Sequence, residues 1–373
     1  MKIIIVGTYY PLRGGIAHYN ALLASELRKK HFVDIITFKR QYPKLLFPGK
    51  TQQETGPSNN AVPAPELVDS INPMNWPGVA REIRRRNPDL LIFKFWLPFF
   101  GPCFGTIAKL AKRKAHTKVL FICDNVIPHE HRPGDILFTM YAFRQVDYFV
   151  VQSDAVERDL QAFWPAARYR KVPHPVYNIF GDILNKQESR NALGIHAQHV
   201  LLFFGYVRAY KGLHILLEAM ARLKHILDIH LLVVGEFYDD EKKYRTQIQE
   251  LALEQHVTIH ADYVPNDQVS LYFSAADAVV LPYVDATQSG IVQIAYNFEK
   301  PVIATRVGGL GEVVLDNITG FVVPPNDPRE LADSILRFFS GNRVEEFTLN
   351  IRQEKGKYTW EAMGNAIESL MSS

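Results

Sequence analysis

At 373 residues the chain exceeds what one hydrophobic core usually organises, so two packed domains are expected. Hydrophobic residues at 47% and charged residues at 22% exclude a disordered chain, and only two cysteines, Cys103 and Cys123, exclude a disulfide framework and a paired thiolate metal site. The net charge of +3 conceals an asymmetry, because residues 1–180 hold 25 Lys+Arg against 14 Asp+Glu whereas residues 181–373 hold 17 against 25.

The N-terminus opens directly into the strand-like run Lys2-Ile3-Ile4-Ile5-Val6, which does not read as a signal peptide. A turn through Pro11-Leu12-Arg13-Gly14-Gly15 follows, then a periodic stretch to Lys30 and a second apolar run at Val33–Thr37. This alternation marks βαβ units on a parallel sheet. Residues Tyr42 to Pro77, rich in Pro, Asn, Gln and Ser, read as a long irregular excursion. Strands are expected again at Leu90–Phe95, Val119–Cys123 and Tyr148–Gln152, with helices near Phe104–Arg113 and Ile136–Arg144. A stretch weak in pattern runs from Val176 to about Ile195, after which the alternation restarts. Val200–Phe204, Ile229–Val234, Ala278–Leu281 and Val302–Thr305 read as buried strands. Helices are expected over Gly212–His225, over Asp327–Phe339 from an Asp-Pro start, and over Thr359–Met371. No apolar run approaches the roughly 20 residues that span a bilayer. The chain therefore reads as two doubly wound α/β domains, 1–180 and 181–355, with 356–373 a helix returning to the first domain.

Open α/β domains bind ligands outside the carboxyl ends of their strands, so the glycine-bearing turns there are the candidate sites. Gly14-Gly15 precedes a helix, where unpaired backbone N–H groups and the helix dipole favour a phosphate. A tight turn with no ligand would leave the same two glycines. The segment Gly205-Tyr206-Val207-Arg208-Ala209-Tyr210-Lys211-Gly212 offers more: a strand ends at glycine, two cations follow three residues apart, and a helix begins. That suits a diphosphate. In Thr287-Gln288-Ser289-Gly290-Ile291-Val292, Thr287 and Gln288 offer neutral hydrogen bonds to hydroxyls, and the backbone of Ser289, Gly290, Ile291 and Val292 at a helix start offers amide donors. Three such turns imply a diphosphate-containing ligand.

In their order and spacing these segments resemble the family 4 retaining glycosyltransferases. Tyr10-Pro11 through Gly14-Gly15 matches the family's opening, and Gly205 through Lys211-Gly212 its donor-phosphate segment. Ala276-Asp277, Leu281-Pro282, Lys300-Pro301-Val302-Ile303-Ala304, Gly308-Gly309 with Glu312, and Thr319-Gly320 with Pro324-Pro325-Asn326-Asp327 continue the match. The resemblance implies a GT-B fold, two Rossmann-like domains facing a central cleft, and transfer of a hexose from a nucleotide-diphosphate sugar to a glycan or lipid-linked acceptor. It also implies that Arg208, Lys211 and the helix starts at Gly15 and Gly290 stabilise the departing diphosphate, with no metal or other cofactor.

Two departures from the family stand out. The two glutamates most members carry, one resembling a donor-hexose contact and the other a ribose contact, are Thr287 and Ala295 here. The histidine that often points at the sugar is replaced by Asp124, with His129 five residues on, so Asp124 and His129 are the candidate catalytic groups. A surface or capping residue is the other reading of His129. The acidic run Asp239-Asp240-Glu241 reads as a solvated helix start, not a metal motif. The basic first half, and the cations of Arg81–Arg86 and Lys109–Lys118 beside the aromatic run Phe93–Phe100, suit peripheral contact with an anionic membrane on its cytoplasmic face. Core burial of those aromatics is the other reading. No nucleic-acid partner is indicated. A catalytically silent GT-B homologue serving as a binding or scaffolding subunit is the alternative, although Arg208 and Lys211 argue for retained diphosphate binding. A nicotinamide-dependent oxidoreductase would need a G-x-G-x-x-G turn after the first strand, and only Gly14-Gly15 occurs there.

Overall fold

A computed structural model describes residues 1–43, 53, 62–112, 116–127, 133–341 and 343–372. The chain divides into two compact units, Met1–Pro175 with Thr359–Ser373, and Val176–Tyr358.

The first unit is built on β1 (Lys2–Val6), β2 (Phe32–Arg40), β3 (Glu66–Asp69), β4 (Leu90–Phe95), β5 (Lys118–Cys123), β6 (Tyr148–Val151) and β7 (Tyr169–Lys171). They form one parallel sheet ordered β3-β2-β1-β4-β5-β6-β7. Helices α1 (Gly15–Leu27), α2 (Trp76–Arg86), α3 (Gly101–Lys112), α4 (Asp135–Phe143) and α5 (Asp154–Phe163) connect the strands. Because helices cover both faces of such a sheet, interior strands are apolar along their whole length. Ile3 to Val6 and Leu90 to Phe93 are fully buried accordingly. The excursion expected over residues 42–77 is interrupted by β3 and the start of α2, which sequence reading missed. β3 is an edge strand whose Glu66 and Asp69 break the apolar run.

The aromatic segment follows the second of its two readings, core burial. Phe93, Phe95, Trp96 and Phe100 are buried, with ring centroids 4.4 Å apart for Trp96–Phe100 and 5.3 Å for Phe93–Phe121. They form core and not an exposed aromatic surface. Removing rings of this size from water outweighs any interfacial role. The C-terminal helix Trp360–Met371 belongs to this unit: Thr359 caps it, and its Glu368 is bonded by His31 at 3.0 Å and Lys30 at 3.3 Å.

The second unit holds β8 (His199–Phe204), β9 (Ile229–Val234), β10 (Val257–His260), β11 (Ala278–Leu281), β12 (Val302–Thr305) and β13 (Gly320–Val323) in a parallel sheet ordered β10-β9-β8-β11-β12-β13. Its helices are α6 (Lys186–Ala192), α7 (Leu213–Leu223), α8 (Glu241–Glu250), α9 (Val269–Ala275), α10 (Gly290–Asn297), α11 (Leu310–Val313), α12 (Pro328–Ser340) and α13 (Arg343–Glu354). Residues 177–195 are not patternless throughout, since α6 lies among them. Seven mostly polar residues carry no apolar periodicity, and α6 is held instead by Arg190, which bonds Asp277 at 2.7 Å and the Ala275 carbonyl at 2.9 Å. Asp240 caps α8 by accepting from the Lys242 amide, and Asp327 caps α12, so both acidic positions serve helix starts.

Candidate functional site

In the second unit the strand order reverses between β8 and β11, and open parallel sheets form their ligand crevice at such a reversal. Gly205 leaves β8 with φ 97°, and Gly212 opens α7 with φ 69°, both left-handed values that favour glycine. A Cβ on Gly212 would stand 1.9 Å from the Pro282 carbonyl oxygen, and the Val284 amide donates to the Tyr210 carbonyl at 2.7 Å. The turn after β8 is thus seated directly on the turn after β11. We expect Gly212→Val to force these turns apart, lowering the melting temperature and abolishing nucleotide binding together; a variant with wild-type melting temperature and affinity would contradict this packing.

Lys211 folds back under Gly205, its Nζ 3.2 Å from where a Cβ on that glycine would sit and 5.6 Å from the Tyr283 ring centroid. The side chain is buried, and that burial, reinforced by the charge of Arg208, lowers its ammonium to about 7. Arg208 is exposed and lies 4.9 Å over the ring of Tyr238, which stacks on Tyr206 at 4.5 Å. Among the described residues no carboxylate pairs with Lys211 or Arg208. Two cations with no carboxylate partner among the described residues thus stand at a strand-order reversal, an arrangement whose charge suits an anion.

The turn after β11 completes this arrangement. Ser289 caps α10, its Oγ accepting from the Ile291 amide at 3.3 Å and lying 3.2 Å from the Tyr283 hydroxyl. Ile291 reaches to 3.3 Å of the Cβ position on Gly205, and Tyr177 to 3.3 Å of that on Gly290. The Thr287 carbonyl accepts from the Gly309 amide at 2.8 Å, tying the turn to the loop after β12. Gln288 keeps a buried Nε2 without a partner. The Val292 amide donates to the Ser289 carbonyl at 3.2 Å, so with Ile291 also engaged this helix start has fewer outward amides than four consecutive residues imply. Val292 and Ala295 are buried in the packed side of α10.

The first unit brings a second set of residues together, at the carboxyl ends of β4, β5 and β6. Asp124 follows β5, its amide donating to the Phe95 carbonyl at 2.9 Å. Its Oδ1 accepts from Lys94 Nζ at 2.6 Å, and the same ammonium donates to Gln152 Oε1 at 2.9 Å. Gly14 has φ 110° and accepts from the Ala17 and His18 amides, so α1 starts without a side-chain cap. His129 lies outside the described residues. Lys94, Gln152, Tyr177 and Tyr283 were not anticipated. A lysine inside the apolar run Leu90–Phe95 was the available signal, since a cation buried in a strand must be paired. No group of His, Cys, Asp and Glu among the described residues is placed to hold a metal ion.

Comparison with known proteins fits this geometry. Residues 198–340 match a family model described as "Glycosyl transferases group 1", and residues 13–177 match "Glycosyltransferase Family 4". A D-inositol 3-phosphate glycosyltransferase of Corynebacterium urealyticum is 27% identical over 244 residues, covering 61% of this chain and 57% of that protein. An uncharacterized glycosyltransferase of Methanocaldococcus jannaschii is 29% identical over 375 residues, covering 97% and 95%. The match spans only a little over half the length of the first of these relatives. Anabaena HepE, solved in complex with UDP-glucose, superposes with a TM-score of 0.78 at 17% identity, with 100% of both chains covered. The architecture is that of the GT-B glycosyltransferases, with two Rossmann-like domains. The two family matches together span most of the chain, which belongs to the group 1, family 4 glycosyltransferases.

Proposed function

We propose that this protein is a retaining glycosyltransferase that moves a hexosyl group from a nucleoside-diphosphate sugar to a hydroxyl of a glycan or lipid-linked acceptor. The carrying observation is the pair Arg208 and Lys211, cations without a counterion among the described residues, at the strand-order reversal of the second unit. As the bond from the anomeric carbon to phosphate breaks, its electron pair goes to the diphosphate; the acceptor oxygen bonds that carbon and gives up its proton. Charge develops on the phosphate, and fixed cations in a partly dry site stabilise it. No metal is required for that neutralisation. Names among the relatives support the donor class, since Anabaena HepE was solved with UDP-glucose. For a lipid-linked acceptor, support comes from the exposed Ile136 and Leu137, which open α4 on a basic unit and suit peripheral contact with an anionic membrane surface.

Titration calorimetry with UDP, GDP and ADP tests the reading. One nucleotide should bind, and Arg208→Ala should weaken it by about 1.5–3 kcal/mol, the range for hydrogen bonds to charged groups. Unchanged affinity in a folded variant would refute it. The pH dependence has a definite sign. Lys211 titrates near 7 in the free protein, and a bound diphosphate raises that value. Affinity should therefore be full below pH 7 and decline as pH rises through 7, a slope that Lys211→Met removes.

A further inference from the structure

Beyond the ends of β8 and β9 the two chains go on pairing after each has turned at a glycine. Gly235, with φ 140°, lies so close to β8 that a Cβ on it would stand 2.3 Å from the Gly205 carbonyl oxygen. The Val207 amide then donates to the Glu236 carbonyl, and the Tyr238 amide to the Val207 carbonyl, each at 2.9 Å. The register does not slip: Phe204 pairs with Val234 inside the sheet, and Val207 with Phe237 outside it. Arg208 therefore stands level with Tyr238. Its backbone is extended, and side chains of extended backbone alternate, so Val207 enters the core at 0% exposure while Tyr206 and Arg208 leave together on the other side.

What this register sets beside the guanidinium is aromatic and not acidic. Arg208 Cζ lies 4.9 Å from the centroid of the Tyr238 ring, and Tyr206 stacks on that ring with centroids 4.5 Å apart and planes inclined by 29°. No carboxylate among the described residues pairs with Arg208. Its backbone is fixed, because its carbonyl accepts from the Lys211 amide at 2.9 Å. The side chain is another matter, since arginine is among the residues that lose most rotamer freedom on ordering, and an exposed one that meets a ligand bears that loss on binding. An aromatic face attracts a cation through its quadrupole while carrying no charge of its own. It can therefore order a guanidinium without neutralising it, whereas a carboxylate in the same place would cancel the charge that an anion needs.

We propose that Tyr238 is a positioning residue: backed by Tyr206, its ring holds the Arg208 guanidinium in place for the donor diphosphate and leaves the charge uncancelled. This rests on the diphosphate reading above, and every residue it uses belongs to the second unit. Tyr238 acts through Arg208 alone. A ring that stacked on the nucleotide itself would keep its effect when Arg208 is gone, and that difference can be measured.

The test is a double-variant cycle read by calorimetry with UDP, GDP and ADP, alongside melting temperatures. In the wild-type background Tyr238→Leu should weaken the nucleotide that the protein binds about fivefold. Tyr238→Phe keeps the ring face and should bring affinity back to within about twofold of wild type. With Arg208→Ala already in place, Tyr238→Leu should change nothing further, because the interaction it removes is gone. A residue that only supports the fold would weaken binding equally in both backgrounds. Tyr206→Leu, which takes away the backing ring, should cost about twofold to threefold, again only while Arg208 is present, and it carries the cycle if Tyr238→Leu does not fold. A folded Tyr238→Leu with wild-type affinity, a Tyr238→Phe as weak as Tyr238→Leu, or a loss that persists beside Arg208→Ala overturns the proposal and leaves the diphosphate reading standing. Wild-type protein that binds none of the three nucleotides, or a folded Arg208→Ala of unchanged affinity, overturns that reading and the proposal with it, so the two failures are distinguishable.

Discussion

Lys211→Met is expected to weaken nucleotide binding strongly while raising the melting temperature of the unliganded protein. The two effects share one cause. The lysine is buried beside Arg208 without a carboxylate partner among the described residues, so its folded value of about 7 lies below the 10.5 of an ordinary lysine. A base with a depressed folded pKa binds fewer protons folded than unfolded between those two values. Stability therefore rises with pH from about 7 to 10.5, and below that window the charged lysine is a full cost to the fold. Methionine fills a similar volume without the charge and removes the cost, giving a gain of several degrees near neutral pH and a flatter stability profile above it. Nucleotide affinity should fall about a hundredfold, the upper end for a hydrogen bond to a charged group. Calorimetry and thermal unfolding from pH 6 to 10 check both. A variant that melts lower than wild type, or binds nucleotide as tightly, would show that Lys211 is a packing residue.

What sequence reading could reach follows from where each element sits in its sheet. β4, β9, β11 and β12 match their expected bounds residue for residue, because interior parallel strands are covered on both faces and become uninterrupted apolar runs. Edge strands carry no such constraint. β3 begins and ends on carboxylates and β7 reads Tyr-Arg-Lys, so neither stands out from loop composition. The same distinction explains the site. Gly205, Gly212, Arg208 and Lys211 are legible because backbone conformation and charge demand those residue types at a strand-to-helix turn. Lys94 was passed over as one cation beside an aromatic surface, since one-dimensional pattern does not say that Phe93, Phe95 and Trp96 turn inward. Its partners Asp124 and Gln152 lie 30 and 58 residues away, and only the β4-β5-β6 register makes them neighbours. Tyr177 against Gly290 and Tyr283 against Ser289 are likewise products of tertiary packing, with no local signature.

Ala295→Glu, which restores the glutamate that most relatives place at the ribose, is expected to destabilise the protein without improving nucleotide binding. Ala295 is fully inaccessible on α10, its carbonyl accepting from the Lys300 amide at 2.8 Å where the helix ends. A longer side chain there must displace its neighbours, and a carboxylate adds an unpaired charge to the interior. The combined cost should be about 3–5 kcal/mol. The sign of the pH dependence separates the two contributions. Burial would raise the folded pKa of the new carboxyl above its unfolded value, so the charge penalty is absent below the unfolded pKa and grows as pH rises through it. Ala295→Gln carries the volume without the charge and should show a pH-independent loss. Gln293, two positions earlier on the same helix and 1% exposed, already keeps an unpartnered buried Oε1. Thermal unfolding between pH 4 and 8 and titration with UDP, GDP and ADP decide the matter. Tighter binding with an unchanged melting temperature would mean that α10 opens to ribose as in the rest of the family. A loss that steepens with pH, with no gain in affinity, would mean that position 295 belongs to the core and takes no part in holding the ribose.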